Sequence, residues 1–177
     1  MHLCGIAGFV GSKNYHTHEA SALLKLMSDS LIHRGPDGSG QWYDSGVGLA
    51  HRRLSIIDID GGAQPMIGSR GCIITFNGEI YNYPQLRKKL EKKGFKFSSN
   101  TDGEVICHLY ELYGEKAFNF LDGMFAIALY DKRRKITFLS RDIAGEKPLY
   151  YSLLSDRNNL AFASEIKALK KFHEIDF

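Results

Sequence analysis

No apolar run in this chain approaches the ~20 residues that a membrane-spanning helix needs, and no charged segment followed by an apolar stretch opens it as a secretory leader would. Charge of one sign is scarce. Lys and Arg number 23 against 20 Asp and Glu, a formal net charge of +3, too small to argue for nucleic acid or an anionic membrane as partner. Cysteine is scarce too: Cys4, Cys72 and Cys107 are odd in number and lack metal-like spacing, so they fit thiols in a reducing compartment rather than a disulfide framework. Internal repeats, low-complexity segments and linkers are missing as well. What is present is 177 residues, 44% hydrophobic and 24% charged, enough for one domain with its own core, expected in the cytoplasm.

Hydrophobic spacing orders the chain. Residues 4–10 read as a buried strand, and Leu23, Leu24, Leu26, Met27 and Leu31 recur at helical spacing behind Thr17 as N-cap. His33-Arg34-Gly35-Pro36-Asp37-Gly38 is a shaped loop. Gln41–Tyr43 and Val47–His51 form a hairpin turning at Asp44-Ser45-Gly46, and Arg53–Asp58 continues extended. The run Cys72–Phe76 ends in Asn77-Gly78, the strongest short turn signal. Helices follow from Pro84 to Gly94 and from Asp102 to Gly114, the second with Gly114 at C′. Further strands fit Phe125–Tyr130, Ile136–Leu139, Leu149–Leu153 and Leu160–Ala163, with a last helix near Ser164-Glu165 and a frayed surface tail at Lys170-Lys171-Phe172-His173. Clustered strands joined by hairpin turns favour an α+β domain with antiparallel sheets.

A few residues could carry chemistry, each with a plainer reading beside it. Cys4 could be a nucleophile activated by its own α-amine once that amine is terminal, or a small buried thiol. Asn77-Gly78 could be an oxyanion hole, a side-chain amide and a backbone N–H aimed at one point, or only a turn. Arg53 could clamp a carboxylate or be a strand-edge arginine. Asp102 could receive an ammonium; with Glu104 it could equally cap a helix and offset its dipole. His16 and His18 lack companions for a metal, and Lys88, Lys89, Lys92 and Lys93 fit the solvated face of a helix.

Taken together the motifs are specific. Cys4-Gly5-Ile6-Ala7-Gly8, His33-Arg34-Gly35-Pro36-Asp37, Arg53-Leu54-Ser55-Ile56-Ile57-Asp58, Gly62-Ala63-Gln64-Pro65, Phe76-Asn77-Gly78-Glu79-Ile80-Tyr81-Asn82, Asp122-Gly123-Met124-Phe125-Ala126 and Arg141-Asp142 with Gly145 and Lys147-Pro148-Leu149-Tyr150-Tyr151 follow in this order. From Cys4 to about Leu169 the chain resembles the glutaminase domain of glutamine-hydrolysing asparagine synthetases, class II glutamine amidotransferases, and residues 1–177 are expected to form one such domain. The resemblance implies a four-layer αββα sandwich of the N-terminal-nucleophile hydrolase type, with two antiparallel sheets between helices. It implies that Cys4 is the nucleophile and that Asn77 and Gly78 form the oxyanion hole. Arg53 then holds the glutamine carboxylate, Leu54, Ser55, Ile56 and Ile57 line the same wall, Gly78 and Glu79 border the substrate, and Asp102 takes its ammonium.

It also implies L-glutamine as substrate and a C-terminal synthetase domain, expected after residue 177, that uses the ammonia. No metal or cofactor is expected in this domain, ATP and Mg being confined to the synthetase domain. Nucleic acid and membrane are not expected as partners, and a homodimer is left open. Met1-His2-Leu3 depart from the family pattern, because they acylate the nitrogen of Cys4; activity is expected only when Cys4 is the first residue. The alternative is a non-catalytic module that binds glutamine or a partner domain.

Overall fold

The computed structural model describes residues 4–11, 15–54, 62–153 and 159–175. They fall into two units, Met1–Ser55 with Pro148–Phe177 and Ile56–Lys147. Each has its own antiparallel sheet and its own apolar core.

In the first unit, β1 (Gly5–Val10) is the central strand. It lies between β3 (Val47–Arg53) and β9 (Leu160–Ala163), with β2 (Gly38–Asp44) and β8 (Tyr150–Leu153) at the edges. The β2–β3 hairpin turns on Ser45 and Gly46, both at positive φ, the geometry whose twist matches the flanking strands. Ala7 and Phe9 of β1 face a core filled by Ala20, Leu23, Leu24 and Met27 of α1 (Thr17–Asp29) and by Ala168, Leu169 and Phe172 of α4 (Ile166–Ile175). Two expectations change here. Thr17 opens α1 rather than capping it; His16 holds the N-cap position, and its N–H donates to Glu19 at 2.9 Å. The tail is no frayed end: Phe172 is 2% exposed and stacks on Phe9 with ring centres 5.7 Å apart, burial worth about 2–3 kcal/mol.

In the second unit the sheet order is β4 (Met66–Ile67), β5 (Cys72–Ile80), β6 (Gly123–Asp131) and β7 (Ile136–Arg141). One face packs on α2 (Tyr83–Glu91), on α3 (Gly103–Tyr113), which stops at Gly114 as expected, and on the 3-10 helix Gly114–Phe120 that follows it. Leu86 and Leu90 anchor α2, while Lys88, Lys89, Lys92 and Lys93 are exposed. The Asn77-Gly78 turn is not formed. β5 runs through it to Ile80, in register with β6: Asn77 faces Ala126 and Gly78 faces Phe125. Tertiary pairing overrides the local turn preference, because a nine-residue ladder satisfies more backbone groups than a two-residue turn would.

Among the described residues, no helix is long and apolar enough to cross a membrane, and no group of three or more His, Cys, Asp or Glu is placed to hold a metal ion.

Candidate active site

In the first unit the sulfur of Cys4 rests on the backbone that leaves β3. The Leu54 N–H donates to Cys4 Sγ at 3.4 Å, and the thiol reaches the Leu54 carbonyl at 3.8 Å. The rest of Cys4 is held by its carbonyl, which accepts Arg34 Nε at 3.0 Å; Arg34 Nη1 in turn pairs with Glu165 at 3.0 Å. Arg34 arrives there because Gly35 lets the loop lie on the strand end. A Cβ at Gly35 would fall 2.5 Å from the Arg52 carbonyl carbon and 2.6 Å from Arg53 N.

Glu165, at the start of α4, also accepts His33 Nε2 at 2.9 Å and pairs with Lys167. Partial burial opposes its charge, but Arg34, His33 and Lys167 outweigh that and hold its carboxyl at about 2. Arg53 ends β3 opposite Gly38, and its carbonyl accepts the Asp37 N–H at 3.0 Å. Leu54 contributes both backbone groups to the thiol. Ser55, Ile56 and Ile57 lie outside the described residues.

In the second unit Asn77 is 2% exposed, on the sheet face opposite Cys72, Ile74 and Phe76. Its Nδ2 is buried and has no hydrogen-bond partner among the described residues. An orphaned buried amide costs about 1–3 kcal/mol, so this N–H is a donor open to an acceptor. Beside it, Gly78 has φ +152, and a Cβ there would sit 2.0 Å from the Met124 carbonyl oxygen: no other residue fits. Two side chains set this stretch of strand. Gln64 Oε1 accepts the Phe76 N–H at 2.6 Å, completing the ladder beyond the short β4. Asp142 accepts the N–H of Phe125, the residue paired with Gly78, at 3.2 Å, together with those of Glu146 and Lys147. Glu79 is exposed.

Asp102 stands at the N-cap position of α3 but makes no side-chain cap. Its Oδ2 accepts the Ile80 N–H at 2.9 Å, which ties the helix start to the end of β5. Burial pushes its carboxyl above the ordinary 3.8; the Ile80 N–H opposes this and the nearby Glu79 charge adds to it. Glu104 does not simply offset the helix dipole. It folds back onto the preceding loop and accepts both N–H and both hydroxyl groups of Ser98 and Ser99, which hold its carboxyl low against burial.

Sequence reasoning singled out Cys4, Arg53, Asn77, Gly78 and Asp102 as chemistry-bearing residues. It saw Arg34, Gln64 and Asp142 only as motif letters and missed Glu165. All four make contacts distant in sequence, for which no local pattern exists.

A family model described as a glutamine amidotransferase domain matches residues 3–177. The chain is 43% identical over 169 residues to the glutamine-hydrolyzing asparagine synthetase 1 of Bacillus subtilis (strain 168), covering 93% of this chain and 26% of that protein. It is 42% identical over 168 residues to the glutamine-hydrolyzing asparagine synthetase of Zea mays, covering 94% and 28%. It therefore spans about a quarter of the length of the curated relatives it matches. Among solved structures, the glutamine phosphoribosylpyrophosphate amidotransferase from B. subtilis complexed with ADP and GMP superposes with a TM-score of 0.75 at 22% identity, covering 94% of this chain and 43% of that one. The shared fold is α+β, of the N-terminal-nucleophile hydrolase type.

Proposed function

Since this chain belongs to the glutamine amidotransferase domain family, we propose that it hydrolyses the side-chain amide of L-glutamine and supplies the ammonia to an ATP-dependent synthetase domain that makes asparagine. The sulfur of Cys4 attacks the amide carbon, and its proton passes to the α-amine of Cys4. The oxyanion of the tetrahedral intermediate is held by Asn77 Nδ2–H and Gly78 N–H. Ammonia leaves with a proton from the α-ammonium, and a γ-glutamyl thioester remains. Water, deprotonated by the same amine, releases glutamate. Arg53 holds the substrate carboxylate by a two-point fork, Asp102 takes its ammonium, and Leu54, Ser55, Ile56, Ile57 and Glu79 border it. Clamping both ends of a zwitterion selects free glutamine over a peptide-bound residue. The hydrolytic step uses no metal or cofactor; ATP and Mg belong to the synthetase step, and both act in the cytoplasm.

The observation that carries this reading is the orphaned, buried Nδ2 of Asn77 beside a glycine that admits no side chain. An α-nitrogen acylated by Leu3 is an amide with no basic lone pair, so the active species must begin at Cys4. The test compares species separated by intact mass for ammonia release from L-glutamine. The species beginning at Cys4 is expected to turn over, and Cys4→Ala to lose at least ~1000-fold in rate with an unchanged circular dichroism spectrum. Full turnover by a species that retains Met1, or by Cys4→Ala, would remove the free amine or the thiol of Cys4 from the mechanism; no turnover by the species beginning at Cys4 would leave a glutamine-binding or domain-pairing module as the reading.

A further inference from the structure

At the end of the second sheet remote from Asn77, two hairpin turns lie side by side. Ser69-Arg70-Gly71 joins β4 to β5, and Lys132–Lys135 joins β6 to β7; the Lys132 N–H donates to the Gly71 carbonyl at 3.2 Å and locks the two together. Between these turns and the last turn of α3 is a recess of about 150 Å³. A single water needs about 10–15 Å³ of such space, so a small polyatomic ligand fits. Arg70, Arg133 and Arg134 line it, with Tyr110, Glu111 and Asp131.

The two carboxylates of the recess are already engaged. Asp131 accepts the Tyr110 hydroxyl at 2.8 Å and the N–H groups of Arg133 and Arg134 at 2.9 and 3.0 Å. Glu111 accepts the Ser69 hydroxyl and the Arg70 N–H and faces His108, and its side chain is 2% exposed. The arginines therefore serve these carboxylates through their backbone N–H groups. Among the described residues, none of the three guanidinium groups forms a direct ion pair: that of Arg134 reaches the Tyr110 hydroxyl, and that of Arg133 acts on the Asp131 carboxylate through its charge alone. Guanidinium forks match the oxygen edges of phosphate and carboxylate. A single carboxylate offers one such edge, whereas a phosphate presents several to cations arriving from two turns.

We infer that this recess binds a small oxyanion of the phosphate class, held by Arg70, Arg133 and Arg134. The site is separate from the glutamine residues: Cys72 at its floor precedes Asn77 by five residues of extended strand, about 17 Å. It does not depend on the proposed reaction.

Titration calorimetry of the purified chain at fixed ionic strength tests it with inorganic phosphate, pyrophosphate and acetate. Saturable binding at one site is expected for phosphate and pyrophosphate, at least tenfold tighter than for acetate. R70A/R133A/R134A is expected to weaken it at least tenfold while the unfolding midpoint stays in place, since the structural bonds of both turns come from the backbone. Should that variant fail to fold, R133A and R134A singly are each expected to weaken binding severalfold. No saturable phosphate binding, equal affinity in the arginine variants, or acetate binding as tight as phosphate would overturn the assignment.

Discussion

The surroundings of Cys4 and those of Asn77 are built by different means. Around Cys4 the geometry depends on side chains that reach between separate elements: Arg34 from the loop after α1, Glu165 from the start of α4, and the Leu54 backbone at the exit of β3. Around Asn77 it depends on the ladder itself, where Asn77 and Gly78 sit inside a nine-residue strand and side chains from outside brace the backbone N–H groups of Phe76, Ile80 and Phe125. A loop-held group is adjustable and sensitive to charge and pH. A strand-held group is insensitive to both and depends on backbone fit.

Four substitutions would break or sharpen that contrast. The largest effect is expected at Asn77→Ala: a fall in kcat for glutamine hydrolysis of about 100–1000-fold, the usual loss for one oxyanion donor, with stability changed by less than about 1 kcal/mol because the amide nitrogen has no protein partner to lose. Thermal unfolding beside steady-state kinetics checks both halves, and an unaltered kcat would remove Asn77 from the oxyanion hole. Gly78→Ala comes next. Its Cβ would meet the Met124 carbonyl at 2.0 Å, so a loss of about 2–4 kcal/mol in urea unfolding is expected at any pH; a variant as stable as the parent would show that β5 and β6 can separate there.

Asp102→Asn is third, raising the KM for glutamine about 10–100-fold with a smaller change in kcat. The pH dependence gives a second check. Burial keeps the Asp102 carboxyl protonated to higher pH than the ordinary 3.8, so the ammonium clamp is lost as pH falls through that raised value. A plot of KM against pH should show this inflection in the parent and lack it in the variant. The smallest effect belongs to the loop-held side. Glu165→Gln should cost about 1–2 kcal/mol near neutral pH. The Glu165 carboxyl is depressed to about 2 from 4.5, so its stabilisation is full above 4.5 and is lost as pH falls toward 2. Acid unfolding curves of parent and variant should therefore converge at the low end of that window, and parallel curves throughout would show that Glu165 is not the group responsible.

The same contrast explains how much could be read in advance. The helices of both units, the Ser45-Gly46 hairpin and most strands were legible, because apolar spacing and glycine placement act within a few residues. The Asn77-Gly78 pair was misread as a turn for the same reason: the local signal is strong, and only the partner strand Gly123–Asp131 reverses it. Phe172 reads as surface because a basic tail hides one apolar residue, and it is Phe9, at the other end of the chain, that stacks on it in the core.

By itself the order of residues determined which reactive groups the chain carries: the sulfur of Cys4, the amide of Asn77 followed by a glycine, and the opposite charges of Arg53 and Asp102. These are properties of residue type, and they survive any fold. Tertiary structure alone decided that Asn77 is buried with a donor to spare, that Asp102 holds the end of β5 rather than its own helix, and that Arg34 and Glu165 brace Cys4. The reason is physical: hydrogen-bond satisfaction and desolvation are set by neighbours that sit far along the chain but close in space.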